Sequence, residues 1–133
     1  MNRNVQGWLG GMAALVLAGV SACSTPAKQF RWQKFTLASD PMMQPLLTGA
    51  PQTGGMRSGR VRLKPGEEMH RHNTHGNEEV LVFLAGHARV VLGSDVVEME
   101  ADQVLYIPPH TEHEIHNDGT EDVRYVFTVA PVR

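Results

Sequence analysis

From residue 60 onward, short segments rich in β-branched and apolar residues recur between turn signals, and none carries a 3.6-residue apolar period long enough for a substantial helix. The segments are 60–64, 68–74, 79–84, 88–92, 96–99, 104–107, 114–116 and 123–129. Between them stand Pro65-Gly66, Ala85-Gly86, Gly93-Ser94, Ala101-Asp102, Pro108-Pro109 and Asp118-Gly119. Short strands at such regular spacing predict one all-β domain, a sandwich or a barrel. Upstream, 30–37 alternates loosely and predicts a strand with a register break, whereas 39–55, rich in Pro and Gly, predicts mostly loop. Val61, Leu63, Trp32, Phe35 and Phe83 are the expected core, with Arg60 and Arg62 on the outer side of their strand. Met42 and Met43 are expected to be loop filler rather than a cover for the barrel mouth.

The first 22 residues carry a different signal. Arg3 precedes an uncharged apolar run, 8–20, shorter than the roughly 20 residues a membrane-spanning helix wants. It ends in Val20-Ser21-Ala22-Cys23, which resembles the lipobox of bacterial lipoproteins. That resemblance implies cleavage before Cys23 and lipidation of its thiol, giving a signal peptide (1–22), a tether (23–29) and a domain (30–133, motif core 57–131). It also implies an envelope protein, lipid-anchored at the membrane, and Ser24 at the next position implies the periplasmic face of the outer membrane in a Gram-negative cell. Cys23 is the sole cysteine, so no disulfide braces the domain. The formal charge is −2 and no basic stripe is present, which argues against nucleic acid as a partner.

All seven histidines lie between His70 and His116. Alternate residues of a strand share a face, so His70, His72 and Thr74 are expected on one side. Glu79 opens the next strand and His113 follows a Pro-Pro turn. Imidazoles with one carboxylate suit a divalent transition metal such as Fe, Mn, Co, Ni, Cu or Zn. His87, His110 and His116 read as solvated surface residues. No Gly-x-Ser-x-Gly elbow, P-loop or dinucleotide fingerprint is present, which leaves nucleophilic catalysis without a candidate.

At these residues the chain resembles the cupin superfamily. The first cupin motif, Gly-x5-His-x-His-x3–4-Glu-x6-Gly, corresponds to 66–86, and Glu79-x6-Gly86 selects Glu79 over Glu78. The second, Gly-x5-Pro-x-Gly-x2-His-x3-Asn, corresponds to 102–117: Pro108, His113 and Asn117 keep the spacing, while Asp102 and His110 replace the glycines. Tyr-Ile-Pro-Pro at 106–109 and Arg-Tyr-Val-Phe at 124–127 are similar to one branch of small cupins. Three registers of the histidine pair stay open: His72 with Thr74 in the second position, His70 with His72, or Asn73 with His75. We assign His72, Glu79 and His113 as metal ligands, with His70 as the fourth and His75 in reserve.

The resemblance implies a double-stranded β-helix, or jelly-roll, barrel holding one divalent metal and a small-molecule ligand. The implied chemistry is that of a metal-dependent oxygenase or isomerase. The competing expectation is a non-catalytic binding or sensory module, with or without metal, in which the histidines line a ligand pocket. Turnover against binding alone separates the two. A homodimer paired through edge strands, 30–37 among them, is also consistent with the resemblance.

Overall fold

The computed structural model describes residues 30–132, and within them every regular element is a strand. These are β1 (Met43–Thr48), β2 (Arg57–Leu63), β3 (Glu68–Asn73), β4 (Asn77–Ala85), β5 (His87–Leu92), β6 (Asp95–Glu100), β7 (Val104–Ile107), β8 (Glu112–His116) and β9 (Val123–Pro131). They form two antiparallel sheets, ordered β1-β2-β9-β4-β7 and β3-β8-β5-β6. The architecture is all-β, as the spacing of turns predicts, and is the jelly roll that the cupin resemblance implies.

The alternation of each strand explains how the sheets close on one another. Val61 and Leu63, Leu81 and Phe83, Ala88 and Val90, Ile115, and Val123 and Tyr125 are all buried in one core between the sheets. The turn glycine Gly86 has φ of +78°, and a Cβ there would stand 2.5 Å from the carbonyl oxygen of Asp122. Only glycine lets β4 turn into β5 while the chain entering β9 crosses behind it. Asn117, also buried, donates from Nδ2 to the carbonyls of Leu63 and Glu121 and so ties the end of β2 to the turn before β9.

The stretch 39–55 is mostly loop, as expected, but it also contains β1, an edge strand that accommodates Pro45 because the outward N–H of an edge strand needs no ladder partner; its register slips between Pro45 and Leu47. Other expectations are corrected. The stretch 30–37 is not a strand. It is held instead by the Gln44 side chain, which donates to the Thr36 carbonyl and accepts from the Ala38 N–H. Trp32 (91% exposed) and Phe35 (40%) accordingly lie outside the core. Arg60, expected on the outer side of β2, is fully buried, and none of its three guanidinium nitrogens has a hydrogen-bond partner among the described residues.

Candidate functional site

Between the sheets lies a cavity of about 330 Å³. β1, β2 and β9 furnish apolar walls, including Met43, Val61 and Phe127, while β3, the turn after it and β4 furnish most of the polar groups. Met43, expected to be filler, is thus part of the cavity wall.

The direction of each histidine follows from a break in the β3–β8 ladder. Met69 pairs with Ile115 and His72 with His113, so His70 and Arg71 together stand opposite Glu114 alone. This is a β-bulge, and its extra residue resets the alternation. Met69 and His72, three apart, therefore both line the cavity. His70 goes the other way: its ring is 88% exposed and its Nδ1 lies 2.7 Å from Glu68 Oε1. The expectation that His70 shares a face with His72 is corrected by the bulge, and His70 does not join the cluster. Arg71 points outward as well, to Glu112 and Glu114.

Three donors converge. One ligating atom each of His72, Glu79 and His113 lies within 4.8 Å of the others. The His72 and His113 rings are 4.1 Å apart, and His113 Nε2 is 3.3 Å from Glu79 Oε2. A carbonyl oxygen only accepts, so at the 2.8 Å contact of His72 Nδ1 with the His70 carbonyl the Nδ1 donates, and in the neutral ring the lone pair is then on Nε2. His113 Nδ1 faces the Thr111 carbonyl at 3.4 Å. Its Nε2 is fully buried, and although an ion-pair distance from Glu79, it is not aligned for a hydrogen bond and has no other partner among the described residues. Glu78, by contrast, accepts from the Tyr106 hydroxyl on the outer side of β4.

Thr74 occupies the position that the first register gives to a second histidine. Its buried hydroxyl donates to the Pro108 carbonyl at 2.9 Å and accepts from the Thr111 N–H at 2.9 Å. The side chain thus staples the turn after β3 to the turn before β8 and is not a donor toward the cluster. His75 follows with φ of +51°; it lines the cavity but is outside the three-residue group. His87 faces Glu98, His110 sits in a turn, and His116 lies between Glu68 and Glu114 on the outer face of the second sheet. Tyr125 lines the same cavity. Burial, and secondly the Glu79 charge, push its phenol above the ordinary range.

A donor set of two imidazoles and a carboxylate fits a first-row metal. Donors about 2.1 Å from such an ion stand about 3.0 Å apart at an octahedral right angle and about 3.4 Å apart at a tetrahedral one. The 3.3 Å separation of His113 Nε2 and Glu79 Oε2 falls in that interval. A buried ring nitrogen without a partner is costly unless something is supplied to it. An ion at this point would supply it.

Residues 59–129 match the family of cupin domains. The chain belongs to the cupin family. It is 34% identical over 68% of its length to polyketide synthase CurC of Streptomyces cyaneus, and 28% identical over 56% to tetracenomycin polyketide synthase protein TcmJ of Streptomyces glaucescens. It spans 59% and 50% of the lengths of these two relatives. Among solved structures, a conserved protein from Klebsiella pneumoniae with a double-stranded β-helix domain superposes with a TM-score of 0.62 at 19% identity, covering 76% of this chain and 91% of that one. At the two places where this cupin departs from the motif glycines, Asp102 and His110 adopt φ of +65° and +59°. Both positions have the left-handed backbone that glycine adopts most readily, although neither residue is glycine.

Proposed function

We propose that this cupin holds one divalent transition metal on His72, Glu79 and His113 and uses it to bind a small oxygen-bearing organic ligand in the cavity between the sheets. The observation that carries this reading is the buried His113 Nε2, which has no hydrogen-bond partner among the described residues and stands beside Glu79 within a three-donor cluster. Two histidines and one carboxylate leave coordination positions open, the arrangement associated with non-haem iron chemistry. The metal, when bound, supplies Lewis acidity toward a ligand carbonyl or enol oxygen.

The chain's own residues do the rest. The His70 carbonyl orients His72, the bulge turns it inward, and the apolar walls exclude water from the ligand's body. The relatives named as polyketide synthase proteins support a ligand of polyketide type, a carbon skeleton with carbonyl or hydroxyl oxygens; an oxygenase or isomerase reaction on it is our reading of the donor set. Element analysis of freshly purified, never-chelated protein tests the metal. We expect about one ion per chain, lost in His113→Ala. Protein that contains no metal and takes up none of Mn, Fe, Co, Ni, Cu or Zn would overturn the reading, and the histidines would then line a metal-free pocket.

We propose further that Cys23, which lies outside the described residues, carries a lipid anchor, on the strength of the Val20-Ser21-Ala22-Cys23 boundary. Cys23→Ala should leave the protein unacylated and out of the membrane fraction. A variant that partitions with membranes like wild type would refute it.

A further inference from the structure

Arg57 opens β2, is exposed and lines the cavity that His72 and Glu79 also line. It stands two residues before the segment that matches the family, and the cupin motifs assign it nothing. Every other arginine of the mature strands either pairs with a carboxylate, as Arg62, Arg71 and Arg89 do, or lies off this cavity. Arg57 has neither an ion pair nor a side-chain hydrogen bond within the described residues. Its stem packs at Gly49, where an added Cβ would stand 3.4 Å from Arg57 Cγ, so the β1–β2 turn buttresses the stem of a side chain that lines the cavity. Among the described residues the one carboxylate lining the cavity, Glu79, belongs to the donor cluster on another strand and is only 8% exposed.

From this arrangement we propose that Arg57 is a ligand-binding residue that selects an anionic group, a carboxylate, on the molecule that the cavity accepts. This rests on the proposed function for the location of the ligand, and it adds the ligand's chemical class: an apolar body bearing metal-binding oxygens and, apart from them, an acid. A guanidinium offers up to five N–H donors in a planar fork and pairs two of them with one carboxylate. A partnerless cation beside a largely apolar wall is what such a ligand would neutralise. The cavity volume of about 330 Å³ lies at the lower end of the range for small-molecule sites and suits a ligand of one or two rings.

The test uses three probes, benzoylacetone and its analogues with a carboxylate at the para or the meta ring position. All three present the same 1,3-diketone, and only the last two present an acid. Binding to the metal-loaded protein is measured by calorimetry for wild type, Arg57→Gln and Arg57→Lys, with metal content determined for each. We expect wild type to bind at least one acid about ten- to a hundredfold more tightly than benzoylacetone, the size of a charge-assisted hydrogen bond. In Arg57→Gln that preference should vanish while benzoylacetone affinity and metal content stay unchanged; Arg57→Lys should keep part of it. Wild type without preference for either acid, failure to bind the acids included, overturns the proposal, as does an undiminished preference in Arg57→Gln. If the protein takes up no metal, the metal reading falls by itself, and the same acid-against-neutral comparison on that protein still decides Arg57.

Discussion

Replacing Glu79 by Gln separates the fold from the metal centre. The substitution keeps the volume of a side chain that is 8% exposed and removes its charge. The metal-free variant should therefore lie within about 1 kcal/mol of wild type, since nothing is overpacked and no cavity is made. Metal should tell the two apart. An ion present at a hundredfold over Kd stabilises the native state by about 2.7 kcal/mol. For a domain of this size each kcal/mol moves Tm by about 4–8 °C, so wild type should gain roughly 10–20 °C. Loss of even an indirect partner of a ligand costs about 10- to 100-fold in affinity, and the direct ligand should cost no less. At a hundredfold loss the same ion concentration equals Kd, and the gain shrinks to about 0.4 kcal/mol, some 2–3 °C. Differential scanning calorimetry of both proteins, chelated and metal-loaded, reads all four states. An ion-induced rise of the same size in wild type and in Glu79→Gln would refute the argument, because the carboxylate would then not be a ligand.

Other consequences concern the scaffold. Arg60→Met replaces a buried, partnerless guanidinium by an apolar side chain of similar length and should stabilise the domain by about 1–4 kcal/mol in urea unfolding; a loss of stability would show that the charge is matched. Thr74→Val keeps the shape but removes a donor to Pro108 and an acceptor for Thr111, and should cost about 1–3 kcal/mol, with the metal content of the folded protein unchanged. Loss of metal without loss of stability would reverse the role given to Thr74. The raised pKa of Tyr125 gives a pH dependence of definite sign: its contribution is fully present below the unfolded value near 10 and is lost as pH rises beyond it. Tyr125→Phe should flatten that alkaline limb of the stability profile, and an unchanged limb would remove the assignment.

What was legible in the sequence follows from which signals are local. The strand 104–107 is legible because Ala101-Asp102 and Pro108-Pro109 punctuate it on both sides, and Gly86 marks the end of β4. Glu79 is separable from Glu78 through the cupin resemblance, whose first motif places its glutamate seven residues before that glycine. The strand β1 was hidden by Pro45, which argues against a strand unless the strand is known to lie at an edge. Trp32 and Phe35 were expected in the core because they are aromatic, yet apolarity alone does not bring a residue inside. The bulge was out of reach for a different reason. Whether His70 or Met69 faces the cavity with His72 depends on how β3 registers against β8, some forty residues later, and nothing in His70-Arg71-His72 encodes the skipped residue. Thr74 looked like a missing ligand, because its two partners, Pro108 and Thr111, are neighbours only in the folded chain.

The bulge and the Thr74 staple together set how many donors face the cavity and from where. His72 and His113 are paired neighbours on β3 and β8 of the smaller sheet, whereas Glu79 lies on β4 of the larger one. A metal on these three would therefore bridge the sheets, and its affinity would depend on the packing between them rather than on any single loop. Thr74 keeps a fourth side chain from closing the set, since its hydroxyl is committed to the neighbouring turn. Residues of β1, β2 and β9 line the same cavity as His72 and Glu79. Arg57 enters from that other side, on a strand that supplies no donor to the cluster and does not pair with β4, β3 or β8. Substituting it perturbs neither the bulge nor the staple. A change in acid preference at constant metal content can then be assigned to the guanidinium, and a change in metal content at constant acid preference to the sheet-bridging donors.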